Sequence, residues 1–336
     1  MMIVLTGGGT GGHLAIVRAL LESATKKGIE CIYIGSENGQ DKAWFENENK
    51  FKAKYFLSSS GVVNKAKFGK FSAFFHIIKL AFECKKIFKK YDIKAVFSVG
   101  GYSAAPASFG ALFSKIPLFI HEQNSKSGSL NMLLKPFAKG FYSAFIKNPC
   151  PYPVSDKFFD NARIRKKLES IIFLGGSQGA SFINELALNL APVLNEKGIK
   201  IIHQCGKNDL EKCKKAYENL GISADIFDFD KNLCLKMAKA DLAISRAGAS
   251  TLFELCANAL PCIFIPYPHA TKNHQFFNAL FLYNQNLCDL FMQNTLSNEN
   301  VLKSIFRLNL EFISSKLSNV TQKNGADILL YRALNL

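Results

Sequence analysis

The chain has 336 residues, 48% of them hydrophobic and 20% charged, with a net charge of +16. That length suits two domains, each with its own core, and that composition excludes a disordered chain. No apolar run approaches the roughly 18 residues a membrane span needs, and no basic-then-apolar leader precedes the first glycines, so no signal peptide is expected.

An apolar run at residues 2–5 leads into Thr6-Gly7-Gly8-Gly9-Thr10-Gly11-Gly12-His13, and a helical pattern follows at 14–27. Strand, glycine turn and helix start suit an anionic ligand, which can approach glycine backbone and the positive end of a helix. Gly7, Gly9 and Gly12 satisfy G-x-G-x-x-G, but five glycines in six residues match many patterns. His13 reads equally as a helix-capping residue or as an acid–base group.

Strands are expected at residues 3–6, 30–34, 53–57, 95–99 and 117–121, with helices between them. Such alternation of continuous apolar runs predicts a doubly wound parallel sheet, with ligands beyond the carboxyl ends of the strands. Gly100-Gly101-Tyr102 and His121-Glu122-Gln123-Asn124 fall on that edge. The proline-rich residues 148–154 cannot continue a helix or a central strand and are read as a linker. A second cycle then opens, with strands at 170–174, 200–204, 224–227, 242–245 and 262–266 and a glycine turn at Gly175-Gly176-Ser177-Gln178-Gly179. The expected division is 1–150 and 151–320, with a helix at 321–336 that could pack back on the first domain.

Nine cysteines, an odd number without a C-x-x-C pair, argue for reduced thiols in a cytoplasm rather than disulfides or zinc. The charge is uneven: residues 1–150 carry 21 basic and 9 acidic residues, a net +12, against +4 for 151–336. Residues 64–91 concentrate it, with eight lysines against Glu83, interleaved with Phe68, Phe71, Phe74, Phe75, Phe82 and Phe88. A helix interrupted near Gly69 is expected there. Its lysine-rimmed aromatics exceed what one core face requires, which points to an anionic membrane surface. No nucleic-acid signature accompanies them.

In the second half, Arg246-Ala247-Gly248-Ala249-Ser250-Thr251-Leu252-Phe253-Glu254 follows a strand. Thr251 and Glu254 fit a capping box. The same carboxylate could instead accept the hydroxyls of a ribose, while the helix N-terminus faces phosphates. Gln275 offers a donor and an acceptor to sugar hydroxyls. A nucleotide-sugar site fits these residues better than a redox cofactor does.

The glycine turn with His13, Gly100-Gly101-Tyr102, His121-Glu122-Gln123-Asn124, the second glycine turn, Arg246-x-Gly248-Ala249 through Glu254, and Gln275 occur in one order from about residue 2 to 285. That set resembles the MurG family of N-acetylglucosaminyltransferases of peptidoglycan synthesis. The resemblance implies a GT-B fold: α/β, two Rossmann-like doubly wound parallel-sheet domains with an interdomain cleft. It implies inverting transfer of GlcNAc from UDP-GlcNAc to the muramoyl 4-hydroxyl of lipid I, giving lipid II, at the cytoplasmic side of the inner membrane as a peripheral protein. It also assigns Thr10, Gly11, Gly12, Asn124, Ser177, Asp230, Ala249, Ser250, Thr251, Leu252, Phe253, Glu254 and Gln275 to the donor. Asp230 falls where the family uses backbone on uracil, and Glu254 where it holds the ribose.

Three positions depart from the family pattern. The proline after the turn histidine is replaced in Leu14-Ala15-Ile16, the linker arginine is Ser155 with Lys157 two residues on, and the double glutamine reads His274-Gln275. His13 is the first choice for the base that deprotonates the acceptor, with Glu122 and His121 next, either of which could instead orient its loop. No cofactor or metal is expected, because the D-x-D of Asp228 and Asp230 lies at the expected uracil loop. Two other readings stay open: a related glycosyltransferase acting on diacylglycerol, and a nicotinamide dehydrogenase with Glu37 on the ribose.

Overall fold

The computed structural model describes residues 1–59, 67–176 and 179–335, and only the backbone of 67–71. The chain forms two compact units, 1–155 with 324–336, and 156–323.

The first unit runs β1 (Met2–Thr6), α1 (Gly11–Lys26), β2 (Glu30–Ser36), α2 (Asp41–Phe45), β3 (Ala53–Leu57), α3 (Lys67–Lys90), β4 (Ala95–Ser98), α4 (Ala105–Phe113), β5 (Leu118–Glu122), α5 (Ser129–Leu134) and β6 (Gly140–Ser143). Its strands pair in parallel in the order β3-β2-β1-β4-β5-β6. Val4, Ile32, Val96 and Ile120 lie fully buried on a sheet packed by helices, among Cys84 and Phe88 of α3 and Ala107 and Ala111 of α4. Continuous apolar strands are what a parallel sheet covered on its faces requires.

The second unit repeats the plan with α6 (Asp156–Asp160), β7 (Ser170–Leu174), α7 (Ser181–Glu196), β8 (Lys200–Gln204), α8 (Leu210–Asn219), β9 (Ala224–Phe227), α9 (Leu233–Lys239) and β10 (Leu242–Ser245). It continues through α10 (Ala249–Ala257), β11 (Cys262–Phe264), α11 (His274–Tyr283), β12 (Cys288–Leu290), α12 (Asn298–Arg307) and α13 (Leu310–Leu317). The order β12-β11-β10-β7-β8-β9 is again wholly parallel. In both sheets the chain reverses its winding direction beside the first strand, at β1/β4 and at β7/β10. Loops part at such a switch point and leave a crevice for ligands.

Finally, α14 (Gly325–Leu334) returns to the first unit, burying Leu329 and Leu330. Ser23 of α1 donates to Asp327, and Arg332 donates to the Pro149 carbonyl at 3.1 Å.

Four elements differ from expectation. Helix α1 begins at Gly11, inside the glycine turn, because glycine tolerates the helical first turn as readily as the bend before it. Helix α3 continues through Gly69. Strands β6 and β12 were not anticipated: both are short sheet edges, and β12 reads Cys288-Asp289-Leu290, with a carboxylate where an apolar run is sought.

Candidate active site

At the β1/β4 switch point the two glycine loops interlock. The Gly8 amide donates to the Gly100 carbonyl at 3.3 Å. Gly7 has φ +127°, and a Cβ there would sit 2.6 Å from the Gly100 oxygen, so a side chain is excluded by both conformation and space. Beneath the turn lies Asp41, fully buried at the start of α2. It accepts from the Gly9 amide (2.6 Å), the Ser36 amide (2.9 Å) and the Tyr33 hydroxyl (3.0 Å). This carboxylate ties the turn to the end of β2.

His13 therefore sits on the first turn of α1, half-buried. Its Nδ1 lies 3.0 Å from Thr10 Oγ1 and its Nε2 lies 2.8 Å from the Gln123 side-chain amide nitrogen. Thr10 is the N-cap of α1, but its hydroxyl serves His13 rather than the helix.

The other two base candidates differ in environment. His121 is buried, and no hydrogen-bond partner of its ring nitrogens is found among the described residues; it packs edge-on to Tyr152. Burial, and secondly the charge of His13, push its pKa down to about 3, so it is neutral at physiological pH. Glu122 is also buried, but its oxygens accept from the Asn124 and Gly128 amides and from the Asn131 side chain, each at 2.9 Å. That arrangement folds the loop over 122–128 and presents Asn124 at its tip, half-buried.

On the second unit, α10 starts at Ala249 with Gly248 as N-cap and no side chain capping it. The capping box expected of Thr251 and Glu254 is therefore not formed. The helix begins three residues earlier, and the Glu254 carboxylate accepts from the Ser250 hydroxyl at 3.1 Å instead. The first N–H groups of α10, at Ala249, Ser250 and Thr251, lack intrahelical acceptors by the geometry of any helix start and can face an anion. Leu252 and Phe253 point into the core. Burial raises the Glu254 carboxyl to about 7, with the Ser250 hydrogen bond opposing.

Gln275 Oε1 accepts from the Ala247 amide (3.2 Å) and the Tyr267 amide (2.9 Å), joining the loops after β10 and β11. Its NH₂ group is left to donate to a ligand. Arg246 donates to the Ile265 and Pro266 carbonyls (3.0 and 3.2 Å) and to Gln293 Oε1 (2.7 Å), and its guanidinium lies 5.6 Å from the Tyr267 ring centre. Asp230, after β9, accepts from the Asn232 amide at 2.7 Å, and Asp228 from the Phe229 amide at 2.6 Å. Both carboxylates thus brace their own loop. Ser177 lies outside the described residues.

The family model for the glycosyltransferase family 28 N-terminal domain matches residues 3–143, and that for its C-terminal domain matches 170–327. The chain belongs to glycosyltransferase family 28. A relative from Campylobacter jejuni, UDP-N-acetylglucosamine--N-acetylmuramyl-(pentapeptide) pyrophosphoryl-undecaprenol N-acetylglucosamine transferase, is 74% identical over 334 residues, 99% of this chain and 98% of its own. A relative of the same name from Campylobacter fetus is 53% identical over 99% of both chains. Among solved structures, MurG of Acinetobacter baumannii superimposes with a TM-score of 0.79 at 26% identity, covering 100% of this chain and 99% of that one.

Family 28 membership makes the chain a glycosyltransferase of GT-B fold and removes the dehydrogenase reading that called on Glu37. Within the first unit the fold gathers Thr10, Gly11, Gly12, His13, Glu122 and Asn124 at one strand edge. Within the second it gathers Ala249 to Glu254 and Gln275. Asp41 and Gln123 carry no role in the sequence reading. Asp41 follows an undistinguished loop whose contact with Gly9 exists only once β2 is paired, and Gln123 was visible only as a letter within the His-Glu-Gln-Asn run.

Proposed function

We infer that the chain transfers GlcNAc from UDP-GlcNAc to N-acetylmuramyl-(pentapeptide) pyrophosphoryl-undecaprenol, lipid I, forming lipid II. The observation that carries this is the 74% identity to a transferase of that name over nearly the whole of both chains. The acceptor in that name also favours lipid I over diacylglycerol.

The reaction is one displacement. The acceptor 4-hydroxyl oxygen attacks the anomeric carbon, the bond to the UDP oxygen breaks, and the hydroxyl proton passes to a base. His13 is that base in this reading: it is half-exposed beside the turn, whereas His121 is buried and Glu122 is engaged by three loop donors. Asn124 contacts the transferred sugar, with Thr10, Gly11 and Gly12 beside it. The N–H groups and hydroxyls at the start of α10, with Ser177, receive the charge that develops on the diphosphate. Glu254 accepts the ribose hydroxyls, Gln275 donates to the sugar, and the loop at Asp230 holds the uracil through its backbone. Diphosphate stabilisation by helix termini calls for no metal, so turnover persists in excess chelator.

The lipid substrate requires a membrane, and α3 with α4 supplies the docking face. Among the described side chains, Phe75 and Phe82 are 69% and 54% exposed, with Phe74 and Phe113 beside them. Phe82 stacks on Phe113 at 5.4 Å. An open groove of about 770 Å³ next to them is lined by Phe82, Phe113, Lys85, Lys86, Lys89 and Lys115. Lysine near an anionic leaflet contributes about 1 kcal/mol each, and the aromatics insert at the interface. No helix among the described residues is long and apolar enough to cross a membrane. The chain acts as a peripheral protein of the cytoplasmic face, with no nucleic-acid partner. Lys65, Lys67, Phe68, Lys70 and Phe71 belong to the same sequence segment, but their side chains lie outside the described residues.

The test is UDP release from UDP-GlcNAc, with and without a short-chain lipid I analogue, for the wild type and for His13→Ala. His13→Ala is expected to lower turnover about 10²- to 10⁴-fold. Turnover within a few-fold of wild type would exclude His13 as the base.

A further inference from the structure

We propose that Gln123 is a positioning residue that sets the His13 tautomer and so decides which ring nitrogen takes the acceptor proton. The proposal rests on His13 as the base. Gln123 is 7% exposed, at the end of β5, with its amide nitrogen 2.8 Å from His13 Nε2. Across the ring, Thr10 Oγ1 lies 3.0 Å from Nδ1, and Thr10 is exposed. The two ring nitrogens thus face different surroundings: Nε2 faces inward onto a carboxamide, Nδ1 outward onto a hydroxyl.

A neutral imidazole has one N–H and one lone pair. With the amide nitrogen toward it, Nε2 must accept, so the proton sits on Nδ1 and is donated to Thr10. The lone pair then points inward, away from any substrate. A half-turn of the carboxamide exchanges its two ends, which are nearly equal in size, and brings Oε1 to Nε2. Nε2 now keeps the proton and donates it to Oε1, and Nδ1 carries the lone pair at the exposed edge. There it accepts from Thr10 until the acceptor hydroxyl takes that place. As the hydroxyl oxygen bonds to the anomeric carbon, the carbon–oxygen bond to UDP breaks with its electron pair on the diphosphate. The proton moves to Nδ1, and the imidazolium stays hydrogen-bonded to Gln123 through Nε2. An outer partner that fixes a histidine in this way is commonly worth 10- to 100-fold.

The other titratable groups of the first unit have surroundings of their own. His121 on β5 is buried and neutral. Glu122 accepts from Asn124, Gly128 and Asn131, and Asp41 from Gly9, Ser36 and Tyr33. The Tyr102 hydroxyl donates to the Asn38 carbonyl, and the Arg18 guanidinium lies over Trp44. Lys126 stands on the loop after β5, and α14 brings Asp327 and Arg332 to Ser23 and Pro149.

The experiment compares the full-length wild type with Gln123→Glu and Gln123→Met. For each, the ¹⁵N shifts of the His13 ring are followed against pH, together with kcat/KM for the acceptor. In Gln123→Glu a carboxylate faces Nε2, which holds the proton there. The His13 titration is expected to move up by about one pH unit, and the acid limb of kcat/KM with it. In Gln123→Met the ring populates both tautomers and kcat falls about tenfold, with KM for UDP-GlcNAc within twofold. An unmoved His13 titration and wild-type tautomer ratio in both variants overturn the coupling and leave His13 standing as the base. A ring titration that moves while the acid limb stays fixed excludes His13 as the base and overturns the catalytic role of Gln123 with it. If Gln123→Glu does not fold, the Gln123→Met tautomer ratio and the split of kcat from KM decide.

Discussion

Two carboxylates of the site show how surroundings assign roles that residue type leaves open. Glu122 and Glu254 both end or follow a strand-edge motif, yet Glu122 is engaged by three loop donors while Glu254 accepts one hydroxyl and is pushed up to about 7 by burial. The sign follows from linkage. The folded value lies above the ordinary 4.5, so between about pH 4.5 and 7 the native state keeps a proton that the unfolded chain has released. Stability falls across that window as pH rises. Glu254→Gln is therefore expected to melt higher than wild type at pH 8, by on the order of 1 kcal/mol, and about equally at pH 4.5. The same variant should bind UDP-GlcNAc at least about tenfold more weakly at pH 8, having lost a charged acceptor for the ribose. Wild-type affinity should rise from pH 6 to 8 as the carboxylate forms. Melting curves and calorimetric titration at the two pH values check this; a pH-independent affinity would deny Glu254 its ribose contact. The sequence could name Glu254 and Glu122 as candidates. It could not separate them, because two of the three donors on Glu122 come from the turn and helix at 128–131, whose placement depends on the finished loop.

At the scale of elements, the alternation of strands and helices was legible because a covered parallel sheet needs largely apolar strands, and ten of the twelve strands lie where such runs were expected. Two of the four edge strands, β6 and β12, were not: they are four and three residues long, and Gly140 and Asp289 break their apolar pattern. The start of α10 was also misread. Serine and threonine are good caps, but here Gly248 begins the helix and leaves those hydroxyls for a ligand or for Glu254.

A second feature of this scale is Arg165. It is fully buried, yet it donates to the carbonyls of Arg163, Met237, Ala240 and Asn258 and to the Asn258 side chain. It thereby supplies the Asn258 carbonyl just past the end of α10, and shares the Met237 carbonyl with the Ala240 amide and the Ala240 carbonyl with Arg163. Arg165→Met would leave the Asn258 carbonyl and side-chain oxygens without their donor, at about 1–3 kcal/mol each, and is expected to lower the melting temperature of the second unit by roughly 10 °C. A melt within 2–3 °C of wild type would mean that water replaces the guanidinium. The adjacent Arg163–Asp241 pair, at 2.7 Å but with its arginine partly exposed, should matter far less.

Over the whole molecule, the charge asymmetry read from the sequence, +12 in residues 1–150 against +4 in the remainder, finds a structural counterpart in the exposed lysines of α3 and the exposed phenylalanines of α3 and α4. The combined substitution Phe75→Ser and Phe82→Ser is expected to reduce binding to anionic vesicles about tenfold or more while leaving UDP-GlcNAc affinity unchanged. Wild-type binding should also weaken as salt rises toward 0.5 M, since surface charge is screened within a Debye length. Sedimentation with vesicles of defined anionic content measures both. Unchanged binding in the double variant would move the docking face elsewhere on the chain.

The measurement that tests the central claim most directly is release of UDP from UDP-GlcNAc by the full chain, with and without a short-chain lipid I analogue. Release is expected to depend on the analogue, with a disaccharide-linked lipid as the second product. Release unaffected by the analogue, or none from a folded chain supplied with it, would contradict the assigned acceptor.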